Sequence, residues 1–233
     1  MHHSLSRPAR RAVAAAIVAA LLTAATVATA SPASAATRVE QTQAQLAQLG
    51  YYPGPVDGIS GSATRSAVVA FQKVHGLVPD GIAGPLTRAA LAAPVTPVLR
   101  GGTADRVEVD LDRQVLYLVQ GGALVRIMPV SSGNGAPYTT ASGGTAYGVT
   151  PVGSFRVQRR IAGERHAPLG VLHDPLYFHR GWAIHGSDSV PVVPASHGCV
   201  RVSRANGREL FAAVPDGFPV VVVGGDAATT FSP

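Results

Sequence analysis

Three hydrophobic patterns follow one another along the chain. Ala12 to Ala30 is a run of Ala, Val, Leu, Ile and Thr with no polar face. Between about 40 and 92 the apolar residues recur at helical spacing. Gln43, Leu46 and Leu49 fall three apart, and Gly50 is placed to end that helix. Ala67, Val68, Phe71 and Val74 form a second stripe stopped by Gly76, and Pro85 opens a third helix carrying Leu86, Ala90 and Leu91. From 104 onward the period becomes two. Val107, Val109 and Leu111 alternate with Glu108, Asp110 and Asp112, which predicts a half-buried strand. Val115–Val119, Leu124–Val130, Phe155–Val157 and Val220–Val223 are further strands, separated by Gly- and Pro-containing turns. A short helix is expected over Arg204–Val214. These elements predict a mainly β protein, a sandwich or barrel preceded by a small three-helix unit.

The helical region contains a duplication. Asp57-Gly58-Ile59-Ser60-Gly61 recurs as Asp80-Gly81-Ile82-Ala83-Gly84, and Thr64-Arg65 as Thr87-Arg88, at a constant offset of 23 residues. Two copies are too few for a solenoid, so the region reads as a small pseudo-symmetric domain over 38–92. Pro94, Pro97, Gly101 and Gly102 mark 93–103 as a linker. The β-region then runs over 104–226, with a tail at 227–233. Residues 1–36 read as a secretory signal: Arg7, Arg10 and Arg11 precede the apolar run, and Ala33-Ser34-Ala35 supplies a cleavage pattern. A retained membrane anchor is the competing reading. The expectation is an exported protein.

Charge adds little. Net charge is +6, and three of those charges are the arginines of the presumptive signal, leaving about +3. No Lys/Arg block or aromatic-interleaved basic stripe points to nucleic acid. The chain has a single cysteine, Cys199, so it can form no internal disulfide.

That cysteine sits in the richest stretch of the sequence. His179-Arg180-Gly181-Trp182-Ala183-Ile184-His185-Gly186 is followed by Ser196-His197-Gly198-Cys199-Val200-Arg201. Imidazole can take a thiol proton, and nearby cations favour the thiolate, so an enzyme's cysteine is expected to be more acidic than an ordinary one. His197 lies two residues before Cys199, on the same face if the segment is a strand. The amides of Gly198 and Cys199 are candidates to face an oxyanion. Three readings compete on these residues alone: a Cys–His nucleophilic site, a zinc site built from His179, His185, His197 and Cys199, and a buried cysteine among satisfied histidines.

Two resemblances narrow the choice. Leu49-Gly50-Tyr51-Tyr52, Asp57-Gly58, Gly61, Thr64, Ala67-Val68, Phe71-Gln72, Gly76-Leu77, Asp80-Gly81, Gly84 and Thr87 resemble the peptidoglycan-binding domain 1 family. Tyr51 and Tyr52 are open there between sugar stacking and core packing. Ile184-His185-Gly186 followed by Ser196-His197-Gly198-Cys199-Val200-Arg201 resembles the L,D-transpeptidase (YkuD) catalytic family, and Thr150-Pro151-Val152-Gly153-Ser154-Phe155 matches its upstream segment. The resemblance implies an L,D-transpeptidase-like β-sandwich. It also implies 3→3 cross-linking of peptidoglycan stem peptides through a thioester on Cys199, with no cofactor and no metal. An L,D-carboxypeptidase and a non-catalytic wall-binding protein are the alternatives. By the same resemblance His185 is the general base and His197 supports the thiolate. Gly186 orients the base through its carbonyl, and Ser196 supports the loop. Arg201 serves substrate carboxylates or site structure. Trp182, His179 and Tyr177 are read either as groove lining or as packing, and His75 and His166 as surface histidines. The partners expected are stem peptides and glycan, bound by a monomer.

Overall fold

The computed structural model describes residue 1 and residues 32–52, 54–102 and 104–225. The apolar run of the presumptive signal and the tail from 227 lie outside the described residues. Helices α1 (Pro32–Gln48), α2 (Ser62–Val74) and α3 (Pro85–Ala92) pack around Leu46, Ala67, Val68, Phe71 and Leu91. Gly50 and Gly76 follow the first two helices with φ of +84° and +65°, the left-handed backbone that favours glycine. Among the described residues no helix is long and apolar enough to cross a membrane.

The duplicated turns are held by two buried glutamines that the repeat itself does not contain in register. Gln43 donates through Nε2 to Asp57 Oδ1 (2.9 Å), Ile59 O (3.1 Å) and Thr64 Oγ1 (3.0 Å), and accepts from the amides of Asp57 and Gly58. Gln72 does the same with Asp80 Oδ1 (2.7 Å), Ile82 O (3.1 Å) and Thr87 Oγ1 (3.1 Å), and accepts from Gly81 N. Gln43 lies 14 residues before its aspartate and Gln72 only 8, so the pseudo-symmetry is spatial rather than sequential.

Among the described residues, twelve strands follow. The first sheet has the order β3 (Ala123–Pro129), β2 (Val115–Gln120), β1 (Arg106–Asp110), β12 (Pro219–Val223), β6 (Gly153–Arg156). The second has the order β11 (Val200–Ser203), β10 (Trp182–Ser187), β9 (Gly170–His179), β7 (Arg159–Arg160), with β8 (Glu164–Ala167) also paired to β9. Val107, Val109, Leu116, Met128 and Val222 of the first sheet meet Phe178, Ile184, Val200 and Val202 of the second, and Leu210 of α4 (Arg204–Ala213) closes the core. Strands β4 (Pro137–Thr139) and β5 (Thr145–Tyr147) form a separate hairpin.

The alternation in β1 identified its two faces but not their burial. Arg106, Glu108 and Asp110 are as buried as the valines between them. The Glu108 carboxylate accepts from Arg106 Nε and Nη2 (2.9 and 2.8 Å) and from the amides of Arg100 and Gly101 (2.7 and 2.8 Å), so residues 100–101 cover the outer face of β1. A Cβ on Gly101 would lie 2.3 Å from Arg106 Nε, so only glycine passes there. Further along the same face, Val115, Tyr117 and Ile127 enter one hydrophobic cluster with Leu46, Tyr51 and Phe71 of the helical part. Ile127 N donates to Gly50 O at 2.9 Å, and Lys73 Nζ donates to Gln114 O and Val130 O (3.1 and 3.2 Å). Burial holds the Lys73 ammonium down to about 8. The helical domain is therefore docked on the sheet through apolar side chains and backbone bonds. Tyr51 belongs to this shared core, while Tyr52 is exposed. His75 is half-buried rather than a surface histidine. It stacks on Phe71 at 3.8 Å, its Nδ1 donates to Phe71 O, and its Nε2 accepts from Val95 N.

Candidate active site

Strands β10 and β11 run parallel with Ile184 opposite Val200 and His185 opposite Arg201. Ile184, Val200 and Val202 point into the sandwich core. Strand alternation then turns Ala183, His185, Cys199 and Arg201 to the opposite face. Cys199 immediately precedes β11 and packs beside Ala183, Leu172 and Tyr177. His185, His197, Cys199, Ser196, Trp182 and Arg201 all line one cleft of about 620 Å³. The second wall comes from the β8–β9 hairpin, through Leu169, Val171 and His173, and from Ser187 to Ser189.

The loop before the cysteine is fixed by several specific bonds. Ser196 Oγ accepts from Gly198 N (3.0 Å) and donates to Cys199 O (2.5 Å). Thr150 Oγ1 donates to Gly198 O (2.7 Å) and accepts from Gly133 N (2.9 Å), which gives the Thr150-Pro151 segment a structural purpose. Gly198 has φ of +124°, and a Cβ there would lie 2.5 Å from Trp182 Nε1 and 2.7 Å from Val149 O. Trp182 Nε1 itself donates to Val149 O at 2.9 Å, and its ring stacks on His179. The Gly198 amide, expected to face an oxyanion, is thus committed to Ser196.

Electrostatically the pair is neutral at rest. Burial holds the His185 imidazolium down to about 4, and the Arg201 and His173 charges act in the same direction. Its Nδ1 lies 2.9 Å from Gly186 O; a carbonyl can only accept, so Nδ1 carries the proton and Nε2 is an acceptor. Burial pushes the Cys199 thiol up, against the opposing pull of the Ala183 amide and Arg201. The expectation of an acidified thiol is corrected here, because desolvation outweighs the nearby cation. Sγ also makes a weak contact to Gly181 O at 3.8 Å.

The remaining sequence candidates separate. Tyr177 does not line the cleft: pairing with Ala183 puts it on the Cys199 side, but it is buried, with the Arg159 guanidinium 4.2 Å from its ring centroid. His179 lies between Phe155 and Trp182. His197 is exposed and meets Tyr138 of the hairpin edge-on at 4.9 Å. Among the described residues no group of three His, Cys, Asp or Glu side chains is placed to hold a metal ion. Exposed His166 faces Glu164 at 3.9 Å. Sequence reading passed over three cleft residues: Tyr138, His173 and Asp188. Tyr138, an aromatic isolated among Gly, Thr and Ser, was the only one with a local signal.

Comparison with known proteins agrees with this architecture. The family model for the L,D-transpeptidase catalytic domain matches residues 104–222, and that for a peptidoglycan binding domain matches residues 36–91. The crystal structure of an L,D-transpeptidase (residues 123-326) from Xylanimonas cellulosilytica superposes with a TM-score of 0.76 at 44% identity, over 80% of this chain and 93% of that one. Curated relatives match shorter segments. The N-acetylmuramoyl-L-alanine amidase CwlM of Mycobacterium tuberculosis is 45% identical over 53 residues, 23% of this chain and 13% of that protein. The localization factor PodJL of Caulobacter vibrioides is 54% identical over 39 residues, 17% of this chain and 4% of that one. The chain thus spans only a small fraction of the length of these curated relatives. By the family match and the structural likeness together, this chain belongs to the L,D-transpeptidase catalytic family and carries a peptidoglycan-binding domain ahead of its catalytic domain.

Proposed function

We propose that the protein is an exported cell-wall enzyme that forms 3→3 cross-links between peptidoglycan stem peptides through a thioester on Cys199. The observation that carries this reading is the placement of Cys199 and His185 on one face of two parallel strands, in one cleft, with the imidazole neutral and its Nε2 unprotonated.

In the acylation step Sγ attacks the carbonyl of the diamino acid at the third stem position. His185 Nε2 takes the thiol proton as the S–C bond forms. The tetrahedral oxyanion needs a donor, and with Gly198 committed to Ser196 the Cys199 amide is the remaining candidate of the two. Collapse breaks the C–N bond to the terminal D-Ala, and the imidazolium returns its proton to the leaving amine. In the second step an acceptor amine attacks the thioester and gives a proton to His185. The C–N bond forms, the C–S bond breaks, and Sγ recovers the proton. A neutral thiol–imidazole pair suits this sequence, since deprotonation then accompanies attack. Arg201 binds the donor carboxylate, and His197, held against Tyr138, shapes the entrance. The helical domain holds the enzyme on the wall and raises local substrate concentration.

The decisive experiment incubates the mature protein with purified disaccharide-tetrapeptide and identifies products by mass spectrometry. Cross-linked dimer supports the proposal. Tripeptide alone would make water the acceptor and the protein an L,D-carboxypeptidase. Unchanged tetrapeptide would leave a wall-binding protein.

A further inference from the structure

A groove of about 340 Å³ lies between the helical domain and the β-sandwich. Arg65, Ser66 and Val69 of α2 and Asp80 of the second turn form one wall; Pro129 and Val192 stand on the other. The groove borders two other concavities. At one end it shares Ser187 and Asp188 with the cleft that holds Cys199. At the other it shares Arg65 and Gly81 with a groove of about 320 Å³ on the helical domain, which also includes Arg38, Thr42 and Ser60. The three concavities adjoin in series, from the helical domain to the cleft that holds Cys199. The series exists because the helical domain is docked on β2 and β3.

The charges along this series are not uniform. Arg65 is exposed, and its guanidinium makes no hydrogen bond or ion pair among the described residues. At the junction with the cleft stands Asp188, the only carboxylate among the cleft-lining residues, as Arg201 is the only guanidinium. Asp188 is 74% exposed and loosely held, by Arg204 Nη1 at 3.5 Å and His173 Nε2 at 3.8 Å. Both partners are shared with Glu164, at 3.7 and 3.5 Å. The carboxylate therefore keeps an open face toward the cleft.

A transferase that works through a thioester must hold a second substrate. For the reaction proposed above, that substrate is a peptide bearing carboxylates and a side-chain ammonium. We propose that the interdomain groove is the acceptor subsite. The acceptor stem lies along it with a carboxylate at Arg65 and its ammonium at Asp188, from which the amine reaches the thioester on Cys199. Asp188 holds the ammonium, which gives one proton to solvent before attack; the neutral amine then attacks, and His185 takes the second proton as the C–N bond forms. This assignment rests on the transpeptidase reading and adds to it where the second substrate binds.

Two measurements on the mature chain test it separately from that reading. First, the Cys199→Ala chain is titrated with disaccharide-tripeptide, which carries the acceptor groups but no terminal D-Ala. Arg65→Ala and Asp188→Asn are each expected to weaken binding about fivefold, the range of an exposed ion pair. Ser66→Trp, which fills the groove without altering charge, weakens it as well. Unchanged affinity in all three variants overturns the assignment. Second, in the Cys199-containing chain the ratio of cross-linked to hydrolysed product is followed against acceptor concentration, a ratio that cancels changes in acylation. Arg65→Ala and Asp188→Asn shift its midpoint upward by the same factor. A ratio that does not respond also overturns the assignment. If instead the unsubstituted chain takes no acyl group from the donor, the transpeptidase reading fails, and the tripeptide titration reports separately on whether the groove binds stem peptide.

Discussion

The Nδ1–H of His185 donates to the carbonyl oxygen of its own neighbour, Gly186, across 2.9 Å. A backbone carbonyl does here what an acidic side chain does in many triads: it fixes the tautomer and ring orientation. It adds no negative charge, and its bond favours the imidazolium by less than burial disfavours it.

A pH dependence of stability follows. His185 has a value of about 4 in the fold against 6.5 for the free side chain, so between these values the unfolded chain binds more protons. Stability from this group is complete above pH 6.5, falls as pH drops toward 4, and levels off below. The loss is on the order of 3 kcal/mol. Melting curves taken from pH 8 to 4 should show that decline, and His185→Asn should flatten it.

Substituting Cys199 by Ala should abolish both cross-linking and adduct formation with a carbapenem while leaving wall binding intact. Intact-mass spectrometry and a sedimentation assay with purified wall material measure the two properties. Because burial raises the thiol, its alkylation by iodoacetamide should increase only toward alkaline pH. An ordinary-looking alkylation profile would therefore say nothing against catalysis.

Thr150→Val should act on Cys199 without touching it. The change leaves Gly133 N and Gly198 O without their partner, at a cost of about 1–3 kcal/mol. The melting temperature should fall and acylation should slow together. Gly198→Ala should be worse, since its Cβ meets Val149 O and the indole nitrogen of Trp182.

Tyr117→Ala removes a ring buried between β2 and the helices, and should destabilise the chain by about 3–5 kcal/mol. Calorimetry should show the helical domain and the sandwich melting in one transition. Two separated transitions would mean that the shared cluster does not couple them.

Much of this was readable in the sequence, for identifiable reasons. Cys199, His197 and Ser196 are neighbours in the chain, so their chemistry shows as a motif. Helix and strand periods gave the elements, because each buries one face. What covers the other face is a long-range matter. The alternation at Glu108 could not show that Arg100 and Gly101 fold back over it, nor that Tyr117 would meet Phe71. That Gln43 and Gln72 hold the turns escaped notice, because they stand at different distances from them. Asp188 and His173 reach the cleft only through the pairing of β9 with β10, which no local pattern encodes. Tyr177 was left open between groove and packing for the same reason: pairing chose its face, and Arg159 then covered it.

The order of strands has a consequence for how activity first arises. Strand β1, the first of the sandwich, lies between β2 and β12, the last, and β12 also carries β6. A chain delivered from its N-terminus leaves the inner edge of β1 unpaired until Pro219–Val223 arrives. By then the Ser196–Arg201 loop has already emerged, but the core behind it is incomplete. The Cys199 thiol is therefore made well before the fold that surrounds it, and the final strand completes the core behind it.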